Sequence, residues 1–274
     1  MEFQEKFIAF IDILGFKSLV NSAENNGDVN LKDIAEALEH LGSRKDLERI
    51  KKHGPNICPQ SKCINKDVGF ILTQVSDCAI ISSEISPLGA LTLVNHCWTA
   101  VIDLLMKGFM CRGYITKGKI YHTSDHVIGS GYQDAYSKES EVSAFKQEAD
   151  ERGTPYVEVD PAVCGYIENT NDRCCKEMFS RYVKKDGDTT VLFPFQRLGH
   201  SFVLMGGADE FNPQREMEAN NNVRLLLNRL KNEVSKYIDP SNPKAVLKSK
   251  HYISALDEQL EVCDKTDRVI EMWS

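Results

Sequence analysis

The chain has 274 residues, 42% of them hydrophobic and 27% charged. That is enough for one large domain with a full core, and it argues against intrinsic disorder. A net charge of −7 argues against a surface dedicated to coating nucleic acid, which needs a basic stripe. It leaves room for a nucleotide substrate held by metal ions. Nine scattered cysteines and an N-terminus, Met1–Lys6, without the layout of a signal peptide fit a reduced, cytoplasmic protein.

Phe7-Ile8-Ala9-Phe10-Ile11 reads as a buried strand, and it ends at Asp12. Burying a lone carboxylate is costly, so Asp12 either caps the turn or helix that follows or faces something cationic. Residues 16–24 and 29–52 read as helical, and Gly, Pro and Asn then break the pattern. Residues 70–84 read as a hairpin with Asp77 near its turn. The longest apolar stretch, residues 88–106, contains Asn95, His96 and Asp103, which a membrane span tolerates poorly. Its apolar residues recur at helical spacing, so it reads as a core helix, with no membrane implied. Residues 109–123 and 126–129 are strand-like, 132–153 helical and 155–161 strand-like again. A second hairpin turns at Asp186-Gly187-Asp188, and helices follow over 213–238 and 243–263. This order predicts an α+β fold, a mostly antiparallel sheet covered by helices. It divides into residues 1–205 and a C-terminal helical extension, 206–274, packed on them.

Asp77 repeats the puzzle of Asp12: it too ends an apolar strand. Two carboxylates at the ends of neighbouring strands can share two divalent cations about 3.5–4 Å apart, as in phosphoryl-transfer sites. Hard oxygen ligands suit Mg2+ or Mn2+. Gly15 would let the backbone approach a phosphate, faced by the N–H groups of the helix that starts near Phe16.

"FIDILGF", "SDCAIIS", "RGYITKG" and "HVIGSGYQDAY" follow one another as in the class III nucleotidyl cyclase domain, which has a ferredoxin-like, palm-type core. Over residues 6 to about 160 the chain most resembles the Pycsar pyrimidine nucleotide cyclases of prokaryotic antiphage defence. The resemblance implies that Asp12, Asp77 and the main-chain carbonyl of Ile13 bind two divalent cations, Mn2+ or Mg2+. It implies that Arg112 faces the phosphates or the leaving diphosphate, and that Gly113 and Gly118 keep their strand clear of bulk near the ligand. Taken alone, Arg112 also reads as an ordinary strand-edge charge. The resemblance further implies a head-to-tail homodimer with active sites at the interface, and a separate effector reached through the cyclic product.

Adenylyl cyclases carry a Lys shortly before the second metal-binding Asp and an Asp two residues before the helix-opening Gly. Here "ILTQVSD" has no Lys, and Val127 stands at the Asp position. Gln133 and Ser137 replace the Asn and Arg that adenylyl and guanylyl cyclases place on the next helix. The metal half of the site is present and the purine-reading half is missing. Around the base the chain offers Phe70, Thr73 and Val127; Phe70 is either an aromatic wall for a small ring or a core residue. The expected reaction is UTP to 3′,5′-cyclic UMP and diphosphate, with CTP to cyclic CMP as the alternative. Rival readings are a degenerate cyclase domain that only binds nucleotide, and a different two-metal enzyme such as a nuclease. Cys58 and Cys63 have weak zinc-knuckle spacing, and His122, His126 and His200 form no triad pattern.

Overall fold

In this computed structural model the structure describes residues 1–42, 44–54, 61–62, 67–195 and 211–273. Cys58, Cys63, His200 and the expected boundary at 205/206 lie outside the described residues. The chain runs β1 (Gln4–Ile13), α1 (Phe16–Glu24), α2 (Leu31–Leu41), α3 (Arg44–His53), β2 (Ile71–Val75), β3 (Cys78–Glu84) and α4 (Pro87–Leu105). It continues through β4 (Cys111–His122), β5 (Val127–Ile128), α5 (Ser130–Glu139), β6 (Val157–Val159), α6 (Pro161–Glu168) and α7 (Arg173–Ser180). The last elements are β7 (Val183–Asp186), β8 (Thr189–Leu192), α8 (Pro213–Lys236) and α9 (Pro243–Met272).

The apolar run of β1 does not alternate because the strand is buried on both faces. It lies mid-sheet in the order β2-β3-β1-β4-β6-β8-β7, with β5 paired to β4. Phe7, Ala9, Ile11 and Ile13 point to the main core beneath α4, together with Ala79, Ile81, Leu91 and Leu93. Ile8 and Phe10 point the other way, joining Ile80, Ile120 and Ala135 of α5. Among the described residues only β4 and β6 pair in parallel; the other pairings are antiparallel. The fold is therefore α+β with a mostly antiparallel sheet and helices at the C-terminal end, as expected. Helix α4 starts at Pro87 behind a Ser86 cap. Among the described residues it is the one helix long and apolar enough to cross a membrane, and 72% of that stretch is buried in the fold. It is a core helix.

Several elements depart from expectation. The helical stretch 29–52 is two helices, broken at Gly42, whose φ is 152°. The helix expected over 132–153 stops at Glu139. Beyond it, Glu158 accepts from the backbone N–H groups of Ser143 and Ala144, at 2.6 and 2.9 Å, and Asp186 accepts from that of Phe145 at 2.6 Å. These side chains take the donors a helix would have used. Two short helices, α6 and α7, were not legible; Asp160 and Asp172 cap them. Helix α9 runs on to Met272. A second core joins Leu105, Met110, Tyr156, Phe193 and Phe195 to Leu227 and Leu230 of α8 and Tyr252 and Leu256 of α9. The C-terminal helices thus pack against the end of the sheet where β4 begins.

Candidate active site

The register of the three central strands builds the site. Asp12 on β1 lies opposite Cys78 on β3 and opposite Arg112 on β4. Side chains alternate across a sheet, so Asp12, Cys78 and Arg112 share one face with Phe10, Ile80 and Tyr114. The β2–β3 turn brings in Asp77: its carbonyl accepts from the Ile13 N–H at 3.1 Å, which sets its side chain near that of Asp12. The pairing of Asp12 and Asp77 expected from the sequence is thus present in the geometry. Burial first, then the charges of Asp77 and Glu139, push the Asp12 carboxyl up to about 7, against the pull of Arg112. The same crowding, added to burial, pushes the Cys78 thiol up to about 11.

Helix α5 covers this face and ends beside Arg112. It crosses β4 at Gly118, where a β-carbon would come within 2.8 Å of Gly131. Tyr132 and Tyr136 pack on Phe10. Lys138 holds the helix to Asp160 at 3.1 Å, and Asp160 also accepts from the Tyr114 hydroxyl at 2.9 Å. The last residue of α5, Glu139, pairs with Arg112; their side chains are 8% and 15% exposed. The guanidinium also donates to the Gly153 carbonyl at 3.3 Å. Arg112 therefore adjoins Asp12 within one chain and is already engaged by protein groups. Sequence reasoning missed Glu139, because nothing in "AYSKE" marks its glutamate as buried.

The glycines of β4 are corrected. Gly118 lets α5 approach, and at Gly113 a β-carbon would meet the Phe10 carbonyl at 2.4 Å. Both serve packing and not ligand clearance. Gly15 has φ 74° and open space around its α-carbon, and it begins α1 with no side-chain cap. Phe16 packs partly buried against the main core. Phe70 takes the core alternative: it is buried against His96, ring centroids 5.4 Å apart, in the cluster beneath α4. That is the opposite face from Asp12, so Phe70 cannot wall the same pocket. Thr73 lies on the Asp12 face, but its hydroxyl is engaged by His122 at 3.0 Å. Ser82 meets the other ring nitrogen of His122 at 2.8 Å, and burial lowers that imidazole to about 4. Val127 packs against the small core under α5.

No cluster of three or more His, Cys, Asp or Glu arranged to hold a metal occurs among the described residues. Two neighbouring carboxyl groups at the ends of adjacent strands do suit a hard cation that takes its other ligands from water and substrate phosphates. No protein-family model and no curated protein matches the chain. Among solved structures it is similar to the catalytic core of a rhodopsin-guanylyl cyclase with converted specificity, in complex with ATPalphaS. The identity is 13%, covering 70% of this chain and 96% of that one, with a TM-score of 0.39. A likeness that distant assigns no chemistry, which rests on the residues.

Proposed function

We propose that the protein is a pyrimidine nucleotide cyclase that converts UTP to 3′,5′-cyclic UMP and diphosphate. The observation that carries this reading is the placement of Asp12 and Asp77 at the ends of adjacent strands, joined through the Ile13 N–H, with Arg112 directly across from Asp12. Two divalent cations, Mn2+ or Mg2+, held by Asp12, Asp77 and the Ile13 carbonyl, would activate the attacking 3′-oxygen and neutralise the leaving diphosphate. The bound cations would hold Asp12 ionised and offset the repulsion it feels from the neighbouring carboxylates. The Gly15 turn brings the start of α1 to the same strand end, where its N–H groups can meet a phosphate. Arg112 fixes Glu139 and adds positive charge beside the reacting centre. No protein nucleophile is required, so the site acts by positioning and charge.

Uracil is favoured over purines because the purine-reading pair is absent and the Thr73 hydroxyl is taken by His122. CTP is the next candidate, since nothing reads the group at ring position four. A homodimer with the site at its interface is part of the proposal. Val75 and Tyr136 stand 53% and 58% exposed beside the site on its own face, apolar area that a second chain would cover. The product would serve as a messenger to a separate effector in antiphage defence.

One observation favours a second reading, a nucleotide-binding module without turnover: Arg112 is already paired with Glu139. Incubating the protein with Mn2+ and all four nucleoside triphosphates, then weighing the products, decides. Cyclic UMP should dominate, with cyclic CMP second. Dominant cyclic AMP or cyclic GMP would overturn the base assignment, and bound nucleotide without diphosphate release would leave only the binding module.

A further inference from the structure

Two neighbouring residues of helix α9 fasten it beside the site, Tyr252 to the start of β4 and His251 to the segment between α5 and β6. The buried Tyr252 hydroxyl donates to the Cys111 carbonyl at 3.4 Å, next to Arg112. His251 meets Glu151 at 2.7 Å, and both side chains are almost fully buried. Its carbonyl also accepts from Tyr156 at 3.5 Å. The residue one turn before Tyr252 on the same side of α9 is Lys248. It is half-buried and within electrostatic reach of Arg112, Glu139 and Glu151. Burial first, and then the like charge of Arg112, lower its pKa; the two glutamates oppose them.

No hydrogen bond or ion pair joins the Lys248 ammonium to another described residue. Arg112, by contrast, is held by Glu139 and Gly153, and Lys138 by Asp134 and Asp160. A partly desolvated lysine beside an arginine, with no carboxylate in contact, is an unfavourable placement for the empty protein. A polyanion entering beside Arg112 would reverse that sign.

We propose that Lys248 binds the outer phosphates of the nucleoside triphosphate, so that the C-terminal helix adds a cation to the site while Arg112 remains tied to Glu139. The inference rests on the reading of the site as one for a nucleoside triphosphate, though not on its being cyclised. A triphosphate would extend from the metal-binding carboxylates toward α9.

The test uses the full chain with Mn2+ and compares the wild type with Lys248→Ala and Lys248→Arg. The probes are inorganic tripolyphosphate and a non-cleavable α,β-methylene analogue of UTP, titrated calorimetrically, with KM and kcat read separately. Lys248→Ala should weaken both probes about 10- to 100-fold, the range of one charge-assisted hydrogen bond. It should raise KM more than it lowers kcat, and Lys248→Arg should restore most of the affinity. Without ligand, Lys248→Ala should melt no lower than the wild type. Unchanged affinity of Lys248→Ala for both probes overturns the inference and leaves the cyclase reading standing. Binding of both probes by a wild type that forms no cyclic product removes the cyclase reading, and the affinity ratio still decides the role of Lys248. A wild type that binds neither probe overturns both.

Discussion

Asp12 holds its proton to a higher pH than an ordinary aspartate because it is half-buried against two other carboxylates. The consequence for stability has a definite sign. Between the unfolded value near 4 and the folded value of about 7, the native state binds more protons than the unfolded one, so stability falls as pH rises. In chelator-treated protein, unfolding free energy from urea titrations should decline from pH 4 toward pH 8. Asp12→Asn should flatten that decline and match or exceed the wild type at pH 8, while losing all cyclase activity. Mn2+ should stabilise the wild type at pH 8 and do little for the variant. Identical pH profiles for the two proteins would contradict the assignment. Asp12 and Asp77 were legible in the sequence because a lone acid closing an apolar strand stands out. Phe70 was not assignable, because alternation does not say which face is which. The pairing of Thr73 with Ile80 and of Val75 with Cys78 puts odd-numbered residues of β2 on the Asp12 face. Phe70 has the other parity.

The Arg112–Glu139 pair joins the sheet to α5 at low exposure. Removing one member of a buried pair leaves the other charge uncompensated, whereas removing both is far milder. Arg112→Ala should therefore cost about 3–5 kcal/mol of stability, and Arg112→Met combined with Glu139→Leu should recover most of it. A double-mutant cycle in chemical denaturation measures this coupling, and additive losses would show that the pair does not act as a unit. This is also the scale at which the sequence misled most. Residues 132–153 carry helical spacing throughout, yet the helix ends at Glu139. The competing acceptors, Glu158 and Asp186, lie 15 and 41 residues along the chain from the Ser143 and Phe145 donors they take, and only the folded sheet delivers them. Lys248 was hidden for a related reason. "NPKAVLKSKHY" carries three lysines in seven residues, and only the folded chain tells the half-buried Lys248 from its exposed neighbour Lys250.

For the whole molecule, the proposed dimer can be separated from the chemistry of one chain. The protein should sediment as a dimer. Because Asp12 and Arg112 face each other across one pair of strands in the same chain, mixing Asp12→Ala chains with Arg112→Ala chains should restore no activity. Recovery on mixing would place these residues in different half-sites. The same strand pairing also has a consequence in time. Asp12 is made 100 residues before Arg112, and β1, which precedes the other described strands of the sheet, belongs in its middle. At a synthesis rate of about 5–20 residues per second, β1 waits roughly 5–20 s for β4. During that interval its apolar run has neither β4 on one edge nor α5 over its second face. The two halves of the site are therefore separated during translation, and the nascent strand depends on the late arrival of β4 to bury it.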